Sequence, residues 1–180
     1  MSETIFTFGH STRPFDKFLE ILEGFRIEMV ADVRTITKSR HNPQFNMPDL
    51  KGGLEAHGIG YFHMAGLGGL RHTTIESINT GWKNPSFRGY ADYMQTLDFE
   101  NSLEQLITLA KEKVTAIMCA EAVPWRCHRS LIGDALLIRG FKVEDIMSDR
   151  TSTPHKLTSW AKVDGCTITY PGEVPRRNVS

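Results

Sequence analysis

Two patterns of hydrophobic and polar positions alternate along the chain. Short apolar runs rich in β-branched or aromatic residues predict strands, and apolar residues recurring every three or four positions predict helices. Strands are predicted at Thr4–Phe8, Met29–Val33, Tyr61–Met64, Val114–Met118 and Phe141–Met147. Helices are predicted from Pro14 to Gly24, from Asp49 to His57, from Phe99 to Ala110, and from Leu131 until Gly140 ends the last one. This alternation predicts an α/β fold, with a mostly parallel sheet of about five strands and helices on both faces.

The length of the chain favours a single domain. Its 180 residues with 40% apolar content suffice for one core, and no linker-like stretch divides them. We expect residues 1–150 to form the α/β domain and residues 151–180 a C-terminal extension. Cys166–Tyr170 could add one strand to it, and its last residues should fray. Residues 70–90 show no regular pattern and predict a long loop, which is typical of functional or mobile segments.

Charge and cysteine usage narrow the class of protein. The 21 basic and 21 acidic residues cancel, so no overall field draws the chain to nucleic acid or to a membrane. Three cysteines, an odd number, and no leader near Met1 favour a reducing, cytoplasmic location over a disulfide framework. No apolar run approaches the length of a membrane span, so no membrane partner is expected.

The densest group of reactive side chains lies between the fourth predicted strand and the helix that follows it. It comprises Cys119, Glu121, Cys127, His128 and Arg129. Loops at the carboxyl ends of parallel strands are where open sheets bind ligands, and the start of a helix favours an anion or a thiolate. We therefore expect a functional site in this loop, with Cys127 ionising readily.

Three other loops should open onto the same edge of the sheet, because each follows a predicted parallel strand. They are Gly9–Ser11, Asp32–Arg34 and Leu67–Gly69. Arginines in these and neighbouring loops suit carboxylate or phosphate groups, so an anionic small molecule or nucleotide is the expected ligand. The catalytic candidates are Cys119, Glu121 and His10. The ligand-binding candidates are Ser11, Asp32, Arg34, Arg40, Gly68, Gly69, Arg88, Cys127, His128 and Arg129.

Several chemistries fit the two cysteines of the loop. Cys119, Cys127 and His128 could hold a divalent metal such as zinc, although the seven residues between the thiols depart from the CxxC spacing. Cys119 could be a nucleophile beside an arginine, but Arg126 comes seven residues later rather than the six of phosphatase-like and rhodanese-like loops, and Pro124 removes a backbone donor. The simplest alternative is a buried, unreactive thiol.

Several separated motifs, in this order, resemble the bacterial and archaeal family called domain of unknown function 488 (DUF488). They are Thr7–Thr12, Asp32–Arg34, Ser39–Arg40 with Asn42–Asn46, Leu67–Gly69, Phe87–Met94, Met118–Glu121 and Cys127–Ser130. The resemblance covers roughly residues 4–147. It implies a metal-binding hypothesis for the cysteines and no particular reaction.

Three classes of function follow from these residues. The first is an enzyme acting on a small or nucleotide-like anionic substrate. The second is a nucleic-acid-binding or processing module that combines the arginines with the loop aromatics Phe45, Trp82 and Trp125. The third is a metal-binding or redox-sensing protein that uses Cys119, Cys127 and His128.

Overall fold

Five helices and eight strands make up the computed structural model, which describes residues 3–173. The strands are β1 (Thr4–Gly9), β2 (Met29–Asp32), β3 (Gly60–His63), β4 (Thr115–Cys119), β5 (Lys142–Ile146), β6 (Ser152–Pro154), β7 (Lys162–Asp164) and β8 (Thr167–Thr169). The helices are α1 (Phe15–Gly24), α2 (Met47–Glu55), α3 (Pro85–Tyr93), α4 (Leu97–Glu112) and α5 (Arg129–Leu137). Short 3₁₀ turns lie at Pro43–Phe45, Ala65–Leu67 and Pro124–Arg126.

Six strands form the main sheet in the order β3-β2-β4-β1-β5-β6. The first five are parallel, and β6 pairs antiparallel with the edge of β5. The predicted α/β class with a mostly parallel sheet is therefore confirmed. The sixth strand was not predicted, because Ser152–Pro154 is a short polar segment with no apolar alternation.

The sheet carries helices on both faces, as predicted. Successive strand residues alternate between two apolar cores: Val30 packs with residues of α1 and α2, whereas Ala31 packs with residues of α3, α4 and α5. Ala116 and Ile117 of the central strand β4 alternate in the same way. Burial on both faces explains why the central strands β2 and β4 are nearly continuous apolar runs in the sequence.

The carboxyl ends of β1, β2 and β4 lie side by side. Gly9 is in register with Cys119, and Asp32 with Met118. The pairing continues past the strands, because the His10 backbone N–H donates to the Cys119 carbonyl at 2.9 Å. Three polar loops therefore begin at adjacent points on one edge of the sheet.

Two segments are more regular than the sequence indicates. Part of the predicted loop at 70–90 is helix α3, whose first turn is capped by Asn84 accepting from the backbone N–H groups of Ser86 and Phe87. In the C-terminal part, β7 and β8 pair as a separate two-stranded sheet, and β8 falls within the segment Cys166–Tyr170. The last few residues of the chain, for which the sequence predicts fraying, lie outside the described residues 3–173. Within residues 3–173, none of the helices has the length and apolar character that a membrane span requires.

Candidate functional site

Two thiols from different elements are in contact at the carboxyl edge of the sheet. Cys119 ends β4, and Cys127 lies two residues before α5. The Cys127 thiol donates to the Cys119 sulfur at an Sγ–Sγ distance of 2.7 Å. Both cysteines are reduced and buried, with exposed fractions of 2% and 6%. A strand end and a helix start thus bring together two side chains eight residues apart.

Arg129, in the first turn of α5, is fully buried beneath this pair. Its Nη1 donates to the Cys119 sulfur at 2.6 Å and to the Glu121 carbonyl, and its Nη2 donates to the Ala122 carbonyl at 3.0 Å. Its Nε donates to the Thr7 hydroxyl at 3.4 Å. The guanidinium N–H groups therefore donate to the Cys119 sulfur, to Thr7 and to the loop that follows Cys119, and do not face the solvent side of the site.

The counter-charge of this buried guanidinium is the Cys119 sulfur. Arg129 forms no ion pair with a carboxylate of residues 3–173. Thr7 separates it from Asp145, and the Asp145 carboxylate is already bound by His155. A buried cation requires a nearby anion, so the arrangement favours the thiolate form of Cys119.

The two thiols have unequal acidities. Burial raises the pKa of Cys119, but the hydrogen bond from Cys127 and the charge of Arg129 outweigh it and bring that pKa down from 9.0 to about 7. The hydrogen bond to Cys119, together with burial, raises the pKa of Cys127 well above its ordinary value. Cys119 therefore loses its proton first, at a pH of about 7, while Cys127 keeps its own, and the prediction that Cys127 ionises readily is wrong.

His128 presents an unprotonated nitrogen to Cys127. Its Nε2–H donates to the Val33 carbonyl at 2.9 Å, which leaves the lone pair on Nδ1, 3.6 Å from the Cys127 sulfur. Burial lowers the pKa of His128 to about 4, so the ring is neutral. Gly69 lies against the ring, and a Cβ added to Gly69 would be only 3.0 Å from Nδ1. His128 is thus a fixed neutral base beside the second thiol.

A cavity of about 390 Å³ opens onto the thiol pair. Polar groups in its lining come from Arg34, Asn84, Ser86, Glu121 and Arg126, and apolar ones from Ile36, Leu70 and Phe87. Arg126 is exposed and forms no ion pair within the part of the chain that the structure describes. The cavity is large enough for a small molecule, and its lining includes the exposed charged side chains of Arg126 and Glu121.

Asp32 and Arg34 form a buried ion pair at one side of the cavity. Two guanidinium nitrogens of Arg34 donate to the Asp32 carboxylate at 2.8 and 2.9 Å, and a further bond goes to the Phe45 carbonyl at 2.8 Å. Nη1 contacts the His10 Nε2 at 3.3 Å. Because arginine has five N–H donors, one N–H of Nη1 is left for a ligand, and Asp32 acts by holding Arg34 in place.

His10 supports this ion pair rather than facing the thiols. Its Nδ1–H donates to the Ser11 carbonyl at 2.7 Å, its Nε2 accepts from Arg34, and its ring stacks on Phe45 at 4.2 Å. Burial lowers its pKa to about 4. His10 does not line the cavity. Ser11 has a left-handed backbone with φ of 53°, and its N–H donates to the Ala120 carbonyl at 3.0 Å.

The structure brings most of the predicted site residues to one edge, but not all of them. Arg40 is exposed and outside the cavity lining, and Arg88, also outside it, donates to the Trp82 carbonyl at 2.8 Å. Gly68 packs close to Thr35 beside the cavity, whereas Gly69 lines it. The loop aromatics are dispersed: Phe45 is buried, while Trp82 and Trp125 line a second cavity.

The residues proposed as metal ligands do not form a coordination site. No group of three or more His, Cys, Asp or Glu side chains in residues 3–173 is arranged to hold a metal ion. Two thiolates bound to one tetrahedral zinc, with Zn–S of about 2.3 Å, lie about 3.8 Å apart. The observed distance of 2.7 Å between the sulfurs of Cys119 and Cys127 is shorter than this, and Arg129 donates a hydrogen bond to the same Cys119 sulfur.

Several residues that line the cavity or hold its loops in place are not among the predicted site residues. Asn84, Ser86 and Arg126 line the cavity. The first two lie at the start of the unpredicted helix α3, so their position could not be inferred; Arg126 was placed on the correct loop but not among the ligand-binding residues. Gly9 is required for a steric reason. A Cβ at this position would overlap the backbone of Glu121, so only glycine lets the cysteine loop cross β1.

Fold and site together define an α/β protein with a cysteine pair, supported by a buried arginine, at the carboxyl edge of its sheet. The family model described as "Domain of unknown function DUF488" matches residues 14–136, and the chain belongs to this family. The matched residues include the cysteine loop and Asp32–Arg34 but not Gly9–Ser11. No curated protein and no solved structure matches the chain.

Proposed function

We propose that the protein is a thiol-dependent enzyme that acts on a small anionic substrate bound in the cavity, with the Cys119 thiolate as its nucleophile. The observation that carries this proposal is the Cys119 sulfur, which accepts hydrogen bonds from both the Arg129 guanidinium and the Cys127 thiol at the wall of the cavity. A thiolate stabilised in this way is the nucleophilic form of cysteine at neutral pH.

The cavity lining supports an anionic substrate. Arg126 and the remaining Nη1–H of Arg34 supply positive charge and a donor, and Asn84 and Ser86 add neutral hydrogen-bonding groups. Glu121 is exposed at the same cavity and is the proposed general acid or base. Arg129 stabilises the thiolate, and His10 positions Arg34, so neither needs to contact the substrate.

Competitive alkylation tests the proposal, with the exposed Cys166 as an internal reference. Reduced protein is treated with iodoacetate, an anion, or with neutral iodoacetamide, and the modified peptides are quantified by mass spectrometry. Relative to Cys166, Cys119 should be alkylated faster by iodoacetate than by iodoacetamide. Sulfate should slow the alkylation of Cys119, and Arg126→Gln should remove its preference for iodoacetate. A Cys119 that resists both reagents, or shows the same preference as Cys166, would overturn the proposal.

A further inference from the structure

A nucleophilic cysteine needs only one thiol, yet this site has a second one in contact with it. Cys127 lowers the pKa of Cys119 through its hydrogen bond, but it forms no bond in the proposed attack, and Arg129 already provides the Cys119 sulfur with a charged donor. We propose that the pair is a thiol–disulfide exchange centre, in which Cys119 attacks a sulfur of a small acid-bearing disulfide and Cys127 then displaces the product. This inference rests on the proposed function and specifies its substrate class.

The geometry of the two sulfurs permits a bond between them. A disulfide bond is about 2.05 Å long, so the sulfurs, now 2.7 Å apart, must approach by about 0.7 Å. Cys127 lies in the link between the 3₁₀ turn Pro124–Arg126 and α5, which can supply this movement without disturbing β4. The second thiol is therefore close enough to attack any adduct that forms on Cys119.

Two groups prepare Cys127 for that attack. The neutral His128 has its Nδ1 lone pair 3.6 Å from the Cys127 sulfur and can accept the thiol proton. The backbone N–H of Arg129 donates to the same sulfur at 3.5 Å, at the start of α5, where a developing negative charge is stabilised. Once an adduct has removed the Cys119 negative charge, Cys127 loses its hydrogen-bond acceptor and becomes the more acidic thiol.

The exchange balances in two steps. In the first, the Cys119 thiolate attacks one sulfur of the disulfide RSSR; the S–S bond breaks, RS⁻ leaves, and a mixed disulfide Cys119–S–S–R forms. In the second, Cys127 attacks the Cys119 sulfur, its proton passes by way of the His128 Nδ1 toward the departing sulfur, and the second RS⁻ leaves. The protein dithiol is oxidised to a Cys119–Cys127 disulfide, RSSR is reduced, and the two RS⁻ take up protons to become two RSH.

The cavity favours a disulfide that carries carboxylates. Arg126 and Arg34 offer positive charge and a hydrogen-bond donor, while Ile36, Leu70 and Phe87 line the rest with apolar surface suited to the CH₂–S–S–CH₂ part of such a molecule. Glutathione disulfide has this chemistry and is the probe that we choose.

The test uses chains in the Cys166→Ser background, so that only the pair can react. Reduced protein is incubated with glutathione disulfide and examined by intact-mass spectrometry. The chain with both cysteines should lose two hydrogens, keep no glutathione and release two equivalents of glutathione thiol. Cys127→Ser should trap one glutathione on Cys119, and Cys119→Ser should react at least tenfold more slowly.

The outcomes separate this inference from the proposed function. If the chain with both cysteines keeps glutathione on Cys119, or does not react while iodoacetate still labels Cys119, the exchange centre is wrong and the nucleophile stands. If Cys119→Ser reacts as fast as the chain with both cysteines, both proposals fail. Cys127→Ala provides a second trapping variant, and circular dichroism of each variant verifies that it is folded.

Discussion

The buried side chain of Arg129, together with the hydrogen bond from Cys127, lowers the pKa of the Cys119 thiol. A guanidinium with no exposed surface is costly unless it is paired, and removing its partner from a buried pair commonly costs about 3–5 kcal/mol. The sequence placed Arg129 in the correct loop but could not show that it faces inward, because the same residue at the start of a helix could equally face a ligand. Its partners Thr7 and Cys119 come from two different strands.

Replacing this arginine tests the electrostatic argument directly. Arg129→Gln should raise the pKa of Cys119 from about 7 toward the ordinary 9.0, and should lower the free energy of unfolding by about 3 kcal/mol because several buried groups lose their donors. Thiolate absorbance followed against pH measures the first effect, and denaturant unfolding the second. Arg126→Gln is the matched control, since Arg126 lines the cavity without contacting the sulfur. In this variant the pKa of Cys119 should stay at about 7.

His155 is a second residue whose charge depends on its neighbours. It lies between Asp134 and Asp145, with nitrogen–oxygen distances of 2.9 and 3.1 Å. Burial lowers its pKa, but the two carboxylates outweigh that effect and raise it from 6.5 to about 9. Because the folded-state pKa exceeds the unfolded one, the charged histidine stabilises the fold fully below pH 6.5, and this contribution is lost as the pH rises through about 9.

We therefore expect the free energy of unfolding to fall by about 3 kcal/mol between pH 6.5 and a pH above 9. Cys119 acts in the opposite direction, since its lowered pKa adds stability between pH 7 and 9, so the measurement is made on Cys119→Ser. Urea unfolding at several pH values follows the change. The double variant Cys119→Ser with His155→Gln is the control. If its free energy of unfolding still falls as the pH rises, the pH dependence belongs to another group.

At the scale of elements, the cysteine loop can pass over the end of β1 only because residue 9 is a glycine. The backbone of Glu121 and Ala122 passes so close to Gly9 that a Cβ would overlap it. Gly9→Ala should force the loop away and lower the free energy of unfolding by about 2–3 kcal/mol. Gly52→Ala is the matched control: Gly52 lies in α2 with open space around it, and alanine there should add about 0.5–1 kcal/mol. Equal effects of the two changes in denaturant unfolding would contradict the argument.

The elements that the sequence predicted are those whose apolar pattern alone determines their structure. The strands β1, β2 and β4 are buried on both faces, so their apolar runs are unmistakable, and parallel topology then places their loops together. Helix α3 was not predicted because it is short and its buried positions include Gly89 and Asp92, which add nothing to an apolar pattern. Both are buried by contacts with the preceding loop. Strand β6 is an edge strand that ends in Pro154, a residue that predicts no strand on its own.

The sequence predicted which loops meet at this edge of the sheet, but not the contacts that their side chains make there. That His10, Arg34 and Cys119 follow neighbouring strands is a matter of topology. That Asp32 accepts from two of the five side-chain donors of Arg34, or that Thr7 connects Arg129 to Asp145, depends on side-chain directions. Such contacts leave no periodic signal in one sequence, which is why ligand-binding and structural arginines were indistinguishable.

At the scale of the whole molecule, the C-terminal segment is tied to the rest of the fold through Tyr170. This fully buried residue donates its hydroxyl to Asp134 of α5 at 2.8 Å, and its backbone is bonded to Asn79 and Gly81 of the loop before α3. Asp134 in turn binds His155. A chain of polar contacts therefore runs from the C-terminal segment toward the sheet edge that carries the cysteine pair.

This connection predicts that residues 151–173 unfold together with the α/β core rather than as a separate extension. Tyr170→Ala removes a large buried ring as well as the hydroxyl that Asp134 accepts from, so it should lower the free energy of unfolding by about 3–5 kcal/mol, in one cooperative transition. Val163→Ala, in the half-exposed hairpin strand β7, should change it by less than about 0.5 kcal/mol. Thermal unfolding followed by near- and far-ultraviolet circular dichroism distinguishes the alternatives. An independent extension would lose its own signal in Tyr170→Ala while the main transition stayed in place, whereas a shared core requires both signals to move together to a lower temperature.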